Sequence, residues 1–123
     1  FFIPFRHSLR FVNSKNNVID LIVRSSRECR IEIYDTDTGS PIAIDATGDG
    51  DFSGVGDVVY VDKNETGYPD VSLASPSQLR HIEIWTYPAA GAAQPGDETD
   101  LTLSAFIDGE WVDQTVDTLI HTH

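Results

Sequence analysis

The sequence predicts an all-β fold, an antiparallel β-sandwich of Greek-key or jelly-roll type with eight or nine short strands. Two observations carry this. Apolar and polar residues alternate with a period of two along most of the 123 residues, and no window of eleven or more sustains a helical period. Turn signals punctuate the alternation at short intervals: Asn13-Ser14-Lys15-Asn16-Asn17, Asp37-Thr38-Gly39, Glu65-Thr66-Gly67, Ser75-Pro76-Ser77 and Asp108-Gly109.

The strands expected between those turns are Leu9 to Val12, Val18 to Arg24, Arg30 to Asp35, Ile42 to Asp45, Val58 to Asp62, Val71 to Leu73, Arg80 to Tyr87, Leu101 to Ile107 and Trp111 to Ile120. Alternation assigns their faces. Ile19, Leu21, Val23, Ile31, Ile33, Ile82, Ile84, Leu101, Leu103, Ala105 and Ile107 should point into the core. His81, Glu83, Trp85 and Tyr87 then share the outer face of their strand, as do Arg30, Glu32 and Tyr34 on theirs. Residues 89 to 97, small and polar with Pro and Gly, read as a surface loop. The length suits one domain over 1–123, with 1–12 able to act as an extended N-terminal arm or donor strand.

Net charge is −12, from 14 Asp and 6 Glu against 6 Arg and 2 Lys. Such a surface repels phosphate backbones and anionic lipid, which argues against nucleic-acid binding, and no apolar stretch is long enough for a membrane span. The charge is also segregated. Residues 1–30 carry six basic and two acidic groups, and residues 31–123 carry two basic and eighteen acidic ones. The chain opens on Phe1 with no leader-like segment, which reads as a mature extracellular or cell-surface protein. Cys29 is its single cysteine and falls in phase with the apolar positions, so a buried thiol is expected.

The densest chemical signal is Asp45-Ala46-Thr47-Gly48-Asp49-Gly50-Asp51-Phe52-Ser53-Gly54-Val55-Gly56-Asp57. Asp49, Asp51 and Ser53 followed by Gly54 occupy positions 1, 3, 5 and 6 of a calcium loop, the Val55 carbonyl stands at position 7 and Asp57 at position 9. The stretch resembles the DxDxDG loops of secreted proteins, with Ser in place of the third acid. Position 12 is Tyr60 rather than the bidentate Glu of an EF-hand, so the resemblance implies structural Ca2+, with a further ligand from Asp45, Asp62 or Asp70. A register beginning at Asp45, with Thr47, Asp49 and Gly50, fits in part.

Catalytic constellations are missing. His7, His81, His121 and His123 join no Ser or Cys in a recognisable triad, no phosphate-cradling glycine loop occurs, and no enzyme is expected. Asn64-Glu65-Thr66 is an N-glycosylation sequon.

Two functions follow as expectations. Phe1, Phe2, Ile3 and Phe5 ahead of basic Arg6 and Arg10, on an acidic body, suggest a subunit of a filament, pilus-like fibre or surface layer, a homo-oligomer or polymer built by strand exchange. The alternative is a carbohydrate-binding or adhesion module that uses His81, Glu83, Trp85 and Tyr87.

Overall fold

The computed structural model describes residues 3–10, 18–72, 79–89, 91, 94–107 and 109–120. Its strands are β1 (Ile3–Arg10), β2 (Val18–Ser25), β3 (Cys29–Asp35), β4 (Ser40–Asp45), β5 (Val58–Val59), β6 (Asp70–Ser72), β7 (Leu79–Pro88), β8 (Glu98–Ile107) and β9 (Glu110–Ile120). They form two antiparallel sheets, one ordered β1-β7-β3-β4-β5 and the other β6-β2-β8-β9. The all-β sandwich is as the alternation predicts.

The core is built from one face of each sheet. Ile19, Leu21, Val23, Leu101, Leu103 and Ala105 come from the second sheet, and Ile31, Ile33, Ile82 and Ile84 from the first, all buried. The register aligns them: Leu21 faces Ala105, Val23 faces Leu103, and Ile33 faces Ile84. Ile107 is only partly buried at the end of β8. Cys29 is buried, and removal from water pushes its thiol above the ordinary value.

Two strands differ from expectation. The first runs from Ile3 to Arg10, earlier than Leu9 to Val12, and pairs with β7 of its own chain through eight consecutive residues, Ile3 opposite Thr86 and Arg10 opposite Leu79. Pro4 and the charges of this segment obscure its strand pattern; Pro is tolerated because β1 lies at the end of its sheet. The other difference is β5, only two residues long. After Val59, the N–H groups of Tyr60 and Val61 both bond to the Ile42 carbonyl, which ends a regular ladder.

The chain between β4 and β6, residues 46–69, is therefore a long excursion interrupted only by β5. It runs along the edge of β2 opposite β8. Ser25 N–H bonds to the Gly48 carbonyl at 2.7 Å, Leu21 N–H to the Pro69 carbonyl at 2.8 Å, and Arg24 Nε to the Asp49 carbonyl at 3.2 Å. Phe52 is buried and meets Tyr68 edge to face, ring centroids 6.4 Å apart.

Candidate functional site

The acidic loop is organised from its own backbone outward. A loop that leaves the sheet ladder exposes N–H donors with no strand partner, and short Asp side chains supply acceptors within a few residues. Asp45, the last residue of β4 and almost wholly buried, is the hub. Its Oδ1 accepts from Thr47 N at 3.2 Å and Gly48 N at 2.9 Å, and its Oδ2 from Gly50 N at 2.9 Å. Asp57 closes the far end, Oδ1 accepting from Ala46 N at 2.7 Å and Oδ2 from Gly54 N at 2.9 Å. Between them Asp49 accepts from Asp51 N, and Asp51 from both the amide and the hydroxyl of Ser53.

That pattern accounts for the spacing of Asp, Ser and Gly by backbone satisfaction. Asp49, Asp51 and Ser53 are exposed, and Val55 is fully so. Among the described residues no three His, Cys, Asp or Glu side chains gather into a metal-ligating group. As arranged here, the loop's carboxylates accept from backbone N–H groups and from the Ser53 hydroxyl. Burial raises the Asp45 carboxyl above its ordinary value, against the pull of its three N–H donors and with a further push from Asp49. Asp51 is held low by the Ser53 hydroxyl and amide.

The same excursion makes a second acidic place. Asp20 on β2 and Asp70 on β6 are direct antiparallel partners, and both are buried, at 5 % and 1 % exposure. One oxygen of each is satisfied, Asp20 Oδ2 by the Thr66 hydroxyl at 3.1 Å and Asp70 Oδ2 by Lys63 N at 2.6 Å. The Oδ1 atoms of both are buried without a hydrogen-bond partner. Asp62 caps the adjoining turn, accepting from Thr66 N at 3.1 Å and Gly67 N at 2.8 Å. Burial, together with the charges of Asp20 and Asp62, raises the Asp70 carboxyl, against the pull of the Lys63 and Asn64 amides. Sequence reasoning reached Asp62 and Asp70 only as spare ligands for the loop and passed over Asp20. Its one signal was a charged residue in the apolar run Val18-Ile19-Asp20-Leu21-Ile22-Val23. Asn64, of the sequon, is exposed at this turn.

The third place is the outer face of β3 and β7. His81, Glu83, Trp85 and Tyr87 alternate with buried Ile82, Ile84 and Thr86, and Glu32 stands opposite Trp85 while Tyr34 stands opposite Glu83. Trp85 Nε1 donates to Glu83 Oε1 at 2.6 Å, and the hydroxyls of Tyr34 and Tyr87 donate to Glu32 Oε1 at 2.8 and 3.4 Å. Arg30 Nε reaches Glu32 Oε2 at 2.9 Å. Burial opposes ionisation of Glu32, but the hydroxyls and the guanidinium win and hold its pKa low, while its hydrogen bond pushes Tyr34 up to about 12. These side chains line a groove of about 360 Å3 that ends at Thr36 and Gly39. His81 lies beyond the groove, its Nδ1 3.3 Å from Asp37, in the Asp35-to-Gly39 hairpin turn that Arg80 also grips through Asp35.

At the N-terminus, Ile3 and Phe5 take register positions opposite Thr86 and Ile84, and Arg6 and Arg10 opposite Glu83 and Leu79. Phe1, Phe2, His121 and His123 lie outside the described residues. A scan of protein-family models and a search of curated proteins return no match to this chain.

Proposed function

We propose that this chain is a calcium-stabilised structural subunit of an extracellular assembly, its copies joined by exchange of the N-terminal strand. The observation that supports this best is the position of β1. It is the first described strand, ends its sheet, and is held there by one antiparallel ladder to β7. An exchange would make the same ladder between copies, with no new geometry to build. Charge segregation adds direction, because a basic segment leaving one acidic body is drawn to the next.

Deleting residues 1–7 removes most of the exchangeable strand, and light scattering of full-length and shortened chains at matched concentration reads the effect. Loss of large particles, with circular dichroism still that of a β fold, is the expected result. Assembly that survives the deletion overturns the reading. Assembly should also weaken as salt rises from about 0.05 to 0.5 M, where the Debye length falls from over 10 Å to a few ångströms.

The outer groove favours a second reading, carbohydrate binding. Trp85, Tyr34 and Tyr87 offer flat apolar faces, and Glu32 and Glu83 offer acceptors for sugar hydroxyls. In a Trp111→Phe background Trp85 is the sole indole, and its fluorescence should change on titration with a binding oligosaccharide. A flat signal over a broad saccharide panel removes this reading.

A further inference from the structure

We propose that Asp20 and Asp70 hold a divalent cation of the calcium type between β2 and β6, under the turn formed by residues 62–67. The proposal stands apart from how copies assemble; it places the stabilising ion at a position other than the Asp49–Asp57 loop.

Three observations carry it. Asp20 and Asp70 are register partners, so their side chains leave the sheet on the same face side by side. Both are more than nine-tenths buried, and each keeps one oxygen, Oδ1, with no hydrogen-bond partner. Their second oxygens are fixed by Thr66 and by the Lys63 amide, which restrains both carboxylates from turning away. Two buried carboxylates with a spare oxygen each are unfavourable unless a positive charge or a proton lies between them. Asp62, whose charge also acts on Asp70, deepens the negative potential there.

The donor set selects the ion. Carboxylate oxygens with neither imidazole nor thiolate suit a hard cation. Calcium takes six to eight oxygens in irregular geometry, whereas magnesium demands a near-ideal octahedron. Asp20 and Asp70 would supply two anionic ligands, with main-chain carbonyls and water filling the remainder. An ion there would tie the 46–69 excursion to the sandwich at its C-terminal end, because Asp70 begins β6 and Thr66 already bonds Asp20.

Calcium titrated calorimetrically into wild type, Asp20→Asn/Asp70→Asn, Asp70→Asn and Asp49→Asn/Asp51→Asn tests this. Wild type and the loop variant should bind one ion with a Kd of about 10−4 to 10−3 M or tighter, Asp70→Asn should bind it roughly tenfold or more weakly, and the double variant not at all. Thermal unfolding gives a second readout that needs no binding heat. Calcium should raise the midpoint of wild type and leave the double variant unmoved. In chelator the order should reverse, with Asp70→Asn the more stable, since one of two facing charges is gone. Binding lost in the loop variant but kept in the double variant would put the ion in the loop and overturn the proposal. A wild type that ignores millimolar calcium and gains stability only on acidification would mean that a proton, and no metal, sits between the carboxylates.

Discussion

Replacing Asp45 by Ala tests whether hydrogen bonds hold the acidic loop. In the native structure Asp45 satisfies three backbone donors. Thr47 is exposed and can turn to water, but Gly48 and Gly50 are buried, and the substitution strands their N–H groups. An unsatisfied buried donor costs about 1 to 3 kcal/mol, so the two cost about 2 to 6 kcal/mol together. Part of this returns, because the buried Asp45 carboxylate is itself poorly solvated, as its raised pKa records. The net loss should be about 2 to 4 kcal/mol, or a midpoint lower by roughly 10 °C for a chain of this size. Asp45→Asn keeps one acceptor oxygen and turns its NH2 towards the remaining donors, so it should lose about half as much. Urea unfolding at pH 7 in chelator measures both without any contribution from an ion. Hydrogen exchange should show Gly48 and Gly50 protected in wild type and unprotected in Asp45→Ala. An Asp45→Ala protein within about 0.5 kcal/mol of wild type, with both amides still protected, would refute the reasoning.

Three further outcomes are expected. Gly48 has φ +74°, and a Cβ there would stand 2.5 Å from the Cys29 carbonyl oxygen, whereas Gly39 has φ +77° and open space around it; Gly48→Ala should cost about 3 kcal/mol or more in urea unfolding and Gly39→Ala about 1 kcal/mol. Tyr34 keeps its proton in the folded state up to about 12 through its bond to Glu32. That stabilisation is full below the unfolded value near 10 and is lost as pH rises from there to about 12; Tyr87 is raised as well, by burial and by Glu32, so an ultraviolet phenolate titration should show Tyr34 and Tyr87 titrating late, and Glu32→Gln should bring Tyr34 back towards 10. Ile84, fully packed opposite Ile33 at the centre of the first sheet, should cost about 2 to 5 kcal/mol on change to Ala, read by thermal or urea unfolding.

The sheets were legible because their signal is local. Seven strands lie close to the predicted bounds, and the alternation placed Ile19 to Val23, Ile31 and Ile33, Ile82 and Ile84, and Leu101 to Ala105 on the core side, since a pleated strand allows only two faces. The excursion was not legible in the same way. Phe52, in a glycine-rich acidic loop without strand alternation, is buried against Tyr68, sixteen residues further on. Asp20, between core Ile19 and Leu21, takes the outward position of the alternation. It is nevertheless buried, because the 62–69 segment folds over it, a contact of 46 residues' separation through Thr66 that no pattern within β2 encodes. The groove between β3 and β7 was half legible. His81, Glu83, Trp85 and Tyr87 followed from alternation, whereas Glu32 and Tyr34 join Trp85 and Glu83 only through the register of β3 on β7.

An Asp-rich sequence thus contains acids of two kinds, and counting them cannot separate the two. Asp45 and Asp57 spend both oxygens on main-chain donors of the excursion, as Asp62 does at its turn. Each replaces a missing ladder partner with donors of the same excursion, at most eleven residues away in the chain. Asp20 and Asp70 differ in that their satisfied oxygens fix them in place while an equally buried oxygen on each is left over. A local cap needs no second carboxylate beside it, and two such caps would repel. Their pairing in register, across strands distant in sequence, leaves two unpartnered buried oxygens side by side, and that is the ground on which the cation is proposed there.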